Sequence, residues 1–126
     1  MNLTTKPTES ELEILQVLWQ KKEATVREVN DQLNDQREVG YTTTLKMMQL
    51  MLEKGMVSRA EDSRSHVYKA AVSELDTQQL LLNKFVDTTF RGSAMKLVMQ
   101  ALGNHEATKE ELNDLKKLIE NIERNS

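Results

Sequence analysis

Tyr41-Thr-Thr-Thr-Leu-Lys-Met-Met-Gln-Leu-Met-Leu-Glu-Lys-Gly-Met-Val57 decides the fold. Three small hydroxyl residues open the stretch, apolar residues recur through it at helical spacing, and Gly55 stands where a left-handed cap ends a helix. The pattern predicts one helix of about four turns. Leu45, Met48 and Leu52 fall on one face with Met51 beside them. The opposite side then carries Thr42, Thr43, Lys46, Met47 and Leu50.

Two shorter helical patterns precede it. Thr8-Glu-Ser-Glu11 is a capping box with Pro7 just outside, and the helix it opens carries Leu12, Leu15, Val17, Leu18 and Trp19. Thr25-Val-Arg-Glu28 repeats the box before Val26, Val29 and Leu33. Asn34 to Gly40 is polar, ends in glycine, and reads as the turn before the third helix. Downstream, Val57–Ala60 and His66–Ala70 are short strand candidates around the polar hairpin tip Glu61–Ser65. Helix, helix, threonine-led helix and two-stranded ribbon is the order of a winged helix-turn-helix, whose third helix enters a DNA major groove.

The remainder reads as helical. Ser73-Glu-Leu-Asp76 caps a long helix with Leu80, Leu81, Phe85, Val86 and Phe90, and Arg91-Gly92-Ser93 breaks it. A shorter helix runs from about Ser93 to Leu102, and Gly103-Asn-His-Glu-Ala107 reads as a loop. Thr108-Lys-Glu-Glu111 caps a last helix striped by Leu112, Leu115, Leu118, Ile119 and Ile122. The expected architecture is therefore mainly α. Residues 1–72 form an N-terminal winged helix-turn-helix (three helices plus a small β-hairpin wing), and residues 73–126 a C-terminal helical dimerisation region. So small a helical unit hardly buries all its leucines alone. A second copy of the chain is the cheapest cover, with Leu81, Phe85, Leu97 and Val98 joining the last helix's stripe in a two-fold homodimer. The alternative is that these helices fold back on the N-terminal domain.

Composition narrows the function classes. Among 126 residues there is no cysteine, which excludes disulfides, thiolate catalysis and cysteine-ligated zinc. His66 and His105 are far apart, without partners at metal-ligand spacing, so neither a metal nor another cofactor is expected. No run of about 18 apolar residues exists, no membrane insertion is expected, and the N-terminal residues lack a secretory signal's apolar stretch. A cytoplasmic location fits. Neither a nucleophile elbow nor a glycine-rich phosphate loop is present, and the carboxylates fall on solvated helix faces, so the chain does not read as an enzyme. The net charge of −3 neither supports nor excludes DNA binding, which depends on the charge facing the duplex. Locally, six basic residues (Arg37, Lys46, Lys54, Arg59, Arg64, Lys69) stand against four acidic ones between Gln36 and Lys69.

On this reading Thr42, Thr43 and Lys46 meet phosphates and base edges, and Met47 touches thymine methyls or belongs to the core. Arg64 sits at the wing tip; Arg59 is a phosphate contact or an ordinary strand charge. The blander reading is that the threonines only cap their helix. A helical protein–protein interaction adaptor that does not bind DNA is the alternative function, favoured by the acidic balance and the apolar Met47 and Leu50.

The stretch from Tyr41 to Val57 also resembles the recognition helix of the penicillinase-repressor (BlaI/MecI/CopY) family. Thr8-Glu-Ser-Glu-Leu-Glu-Ile-Leu-Gln-Val-Leu-Trp19 matches at the start, Arg59 and Tyr68 across the wing, and Phe90-Arg-Gly-Ser93, Leu97-Val98 and Glu111-Leu-Asn-Asp-Leu115 towards the end. The resemblance spans nearly the whole chain. It implies a homodimeric repressor on a two-fold symmetric double-stranded DNA operator, with contacts from Thr42, Thr43 and Lys46 and wing support near Arg64. It also admits a sensor or protease that relieves repression. The copper-responsive branch uses a cysteine cluster that this chain lacks. The β-lactam branch is cleaved at an Asn-Phe bond, where Gln100-Ala101 stands here. Lys46 replaces a residue that is often threonine, which implies a different operator preference.

Overall fold

The computed structural model describes residues 6–60, 66–104 and 106–126. The hairpin tip with Arg64, and His105, lie outside the described residues. Two compact units divide the chain, Met1–Leu82 and Asn83–Ser126.

In the first unit α1 (Glu9–Lys21) and α2 (Val26–Leu33) start on the expected boxes. The Thr8 hydroxyl accepts from the Glu11 N–H at 3.1 Å while the Glu11 carboxylate accepts from the Thr8 N–H at 2.9 Å. Thr25 and Glu28 repeat this at 3.2 and 2.9 Å. Each box satisfies backbone N–H groups that a helix start leaves orphaned. α3 (Tyr41–Glu53) closes as its glycine demands. Gly55 takes φ +80°, its N–H donates to the Leu52 carbonyl at 3.1 Å, and the Met56 N–H reaches back to Met51 at 2.9 Å.

The sheet departs from the expected two-stranded ribbon. β1 (Ala24–Thr25) pairs antiparallel with β3 (Val67–Ala70), which pairs in turn with β2 (Val57–Ala60), giving the order β1-β3-β2. Two residues are too short to show alternation, so β1 is defined only by its partner, with Ala24 opposite Tyr68. His66 stands just before β3 rather than inside it.

Ile14, Leu15 and Leu18 of α1, Val29 of α2, Met48 and Met51 of α3 and Tyr68 of β3 meet in one apolar cluster. Full burial of each such side chain contributes about 1.5–3 kcal/mol. Half-buried Trp19 packs on this cluster, and its indole N–H donates to the Val72 carbonyl at 3.0 Å, tying the end of α1 to the exit from the sheet.

α4 (Glu74–Thr89) begins under Ser73, whose hydroxyl accepts from the Asp76 N–H at 3.0 Å. Arg91 at φ 52° and Gly92 at φ 84° turn the chain out of it. In the second unit Phe85 and Phe90 meet edge to face at 5.7 Å between ring centres. α5 runs Ala94–Asn104, so Gly103 belongs to the helix and not to the expected loop. A glycine costs a helix only about 1 kcal/mol, too little to end one by itself. α6 (Lys109–Arg124) starts on the Thr108–Glu111 box, with both bonds at 3.0 Å. Among the described residues neither α5 nor α6 buries any residue.

Candidate nucleic-acid interface

The geometry of α3 is set by the turn before it. The Asn34 side chain pairs with the Val39 backbone in both senses: its amide N–H donates to the Val39 carbonyl at 2.9 Å, and its oxygen accepts from the Val39 N–H at 3.1 Å. The same amide group donates to the Asn30 carbonyl at 2.7 Å. Asn30, with its amide NH2 turned towards the turn, donates to Val39 and Gly40 carbonyls at 3.2 and 3.3 Å and lies 2.6 Å from the Thr44 hydroxyl. Two asparagines of α2 and its end thus fasten the start of α3, a role invisible to apolar periodicity.

The three threonines separate. Thr44 is fully buried on the inner face with Met48 and Met51, while Leu45 and Leu52 are only half-buried. Thr42, Thr43, Lys46, Gln49 and Leu50 are exposed. None of the threonines caps the helix: the cap residue is Gly40, without any side-chain cap bond. The first-turn N–H groups of α3 are therefore left to an external acceptor, beside exposed hydroxyls and an ammonium. Met47 is half-buried and packs against the core cluster, the second of its two expected settings.

Ion pairs sort the local cations. Arg37 pairs with Glu13 at 2.7 Å, Lys54 with Glu11 at 2.7 Å, and Lys69 with Glu23 at 3.7 Å. The Glu13 partnership holds the Arg37 pKa above its usual value. Among the described residues at least three of these basic residues are thus already paired within the chain. Among the described residues Lys46 has no carboxylate partner, and neither does Arg27, which the local charge count left out. The Arg27 guanidinium instead lies over the Tyr41 ring, 5.2 Å from its centre. Arg59 is half-buried on β2, opposite Tyr68.

Comparison with known proteins fits this geometry. The sequence model of the penicillinase repressor family matches residues 7–121. The chain belongs to the penicillinase repressor family. Among its relatives is the methicillin resistance regulatory protein MecI of Mammaliicoccus sciuri, 21% identical over 94% of this chain and 96% of that one. The penicillinase repressor of Bacillus licheniformis is 24% identical over 90% and 88% of the two chains. The solved structure of the Bacillus licheniformis BlaI monomeric form in complex with the blaP half-operator superposes with a TM-score of 0.52 at 24% identity, covering 60% of this chain and 93% of that one. The matched parts share their fold.

The residues expected at a dimer interface have varied settings in the repressor's single chain. Leu81, Leu97 and Leu115 are half-buried. Phe85, Val98, Leu112, Leu118, Ile119 and Ile122 are exposed, as are Met95, Met99 and Leu102, which the helical stripe of the sequence reading left out. Among the described residues no cluster of His, Asp and Glu suited to a metal is present, and no described helix is long and apolar enough to cross a membrane.

Proposed function

We propose that the protein is a DNA-binding transcriptional repressor that reads its operator with the outward side of α3. The observation that carries this is the division within one threonine run: Thr44 anchors the helix, and Thr42, Thr43 and Lys46 stand exposed beside uncapped N–H groups. Membership of the penicillinase repressor family supports the repressor role. Met47 contributes packing behind the reading face, and Arg59, with Arg64 beyond the described residues, supports the duplex backbone from the wing.

The active species in this reading is a homodimer. Leu118, Ile119 and Ile122 form an exposed apolar stripe on α6, with Leu115 half-buried in the same row. Apolar area gains about 25 cal/mol per Å² when covered, and a second copy supplies a matching stripe. A dimer places two copies of α3 on a two-fold symmetric site and occludes a promoter sterically. Gln100 and Ala101 lie inside α5, so a protease relieving repression at that bond must first unwind the helix.

Selection and sequencing of genomic fragments bound by the purified chain tests the proposal. The expected result is an enriched two-fold symmetric site with half-site centres about one or two helical turns apart, 10–10.5 base pairs per turn. Absence of any enrichment, with no shift of random duplex at low salt, is the behaviour of a protein adaptor and would overturn it.

A further inference from the structure

Between α3 and the sheet lies a groove of about 410 Å³ lined by Arg27, Tyr41, Gln49, Arg59 and His66. The Arg27 guanidinium, an imidazole and a carboxamide converge there beside the Tyr41 ring, and none of the described lining residues is a carboxylate. Such a set of donors calls for an anion. Tyr41 and Gln49 lie two turns apart on one side of α3, next to the exposed Thr42 and Lys46 row. A helix seated in a major groove meets the sugar-phosphate strand along its flank, and here that flank is this groove.

We propose that the groove grips a phosphodiester of the operator backbone, with Arg27 as the anchor and Tyr41 as its positioning residue. The inference rests on the DNA-binding reading above and adds contacts outside the outward face of α3. Arg27 is suited to the task on two counts. Among the described residues no carboxylate neutralises it, unlike Arg37, Lys54 and Lys69. Its position over the Tyr41 ring restrains a side chain that otherwise loses rotamer freedom on binding. A phosphate contact positions the protein on the duplex without reading sequence.

Arg27 and Tyr41 are both exposed, so their substitution leaves the core intact. Binding of the full chain is measured on a random-sequence duplex and on a duplex recovered by genomic selection, across a salt titration. Arg27→Gln is expected to weaken both by the same factor, about five- to tenfold, and to reduce the salt slope by about 1 for each Arg27 engaged. Tyr41→Ala should weaken both duplexes in the same direction but less, and Tyr41→Phe, which keeps the ring, should bind as the parent does. Unchanged affinity and slope in Arg27→Gln would overturn the proposal. So would a loss confined to the selected duplex, because Arg27 would then be reading bases. Failure of the parent chain itself on both duplexes would instead bring down the DNA-binding reading, a separate result. If inorganic phosphate saturates the groove, seen as shifted Tyr41 resonances, while Arg27→Gln leaves DNA binding intact, the site belongs to a free anion and the proposal falls.

Discussion

At the scale of single residues, neighbours of one chemical type carry different duties. Thr43 and Thr44 are adjacent threonines, yet one faces solvent and the other sits fully buried 2.6 Å from the Asn30 side chain. Thr44→Ala is expected to lower stability by about 1–2 kcal/mol, through a lost hydrogen bond and a small void. In thermal melts the folded variant should keep the parent's preference for the selected duplex; lost preference without lost stability would place Thr44 on the reading surface. Glu11 is a second case. Burial pushes its pKa up, but the Lys54 ammonium at 2.7 Å and the Thr8 capping bonds outweigh burial and hold it below the ordinary 4.5. A carboxylate whose pKa is lower in the folded chain stabilises that state above the unfolded value, and the stabilisation disappears as pH falls through the folded value. Glu11→Gln keeps the shape of the cap and removes the charge. Urea denaturation should give a loss of about 1–2 kcal/mol at neutral pH that shrinks as pH drops below the carboxylate range. A difference that stays constant with pH would contradict the assignment.

At the scale of elements, the helix starts and the end of α3 were legible because their signals are local. Capping boxes at Thr8, Thr25 and Thr108 and the glycine at position 55 each act within a few residues, and the structure uses all four. β1 was not legible, since two residues acquire strand geometry only by pairing with Val67 and Tyr68. The burial of Thr44 was hidden for a related reason: its partner Asn30 lies on another helix, and periodicity weighs apolar residues only. The role of Arg27 was not legible because it comes from Tyr41, fourteen positions away in sequence, whose ring the guanidinium overlies. The apolar stripe of α6 was plain, whereas its cover, a second copy in the proposed reading, lies outside a single chain. Ile122 is 59% exposed in the single chain, so Ile122→Glu spares the protomer. Sedimentation should then find monomers, and affinity for the two-fold site should fall on the order of 10²-fold, because the second half-site no longer binds as part of one molecule. An unchanged dimer would remove Ile122 from the interface.

At the scale of the molecule, a net charge of −3 and a DNA-binding role coexist because charge is arranged locally. Glu13, Glu11 and Glu23 neutralise Arg37, Lys54 and Lys69, while Lys46 keeps no carboxylate partner among the described residues. Phosphate contacts carry no sequence information, so in the proposed reading operator choice rests on what α3 presents to the base edges. The central claim is that the exposed side of α3 performs this reading. Its most direct test is the ratio of affinities for the selected and the random duplex, measured at one salt concentration for Thr43→Ala and Lys46→Ala. A base contact contributes about 1–3 kcal/mol of discrimination, so the ratio should fall about five- to a hundredfold in each variant while the protein stays folded and dimeric. A ratio equal to the parent's in both variants would contradict the account.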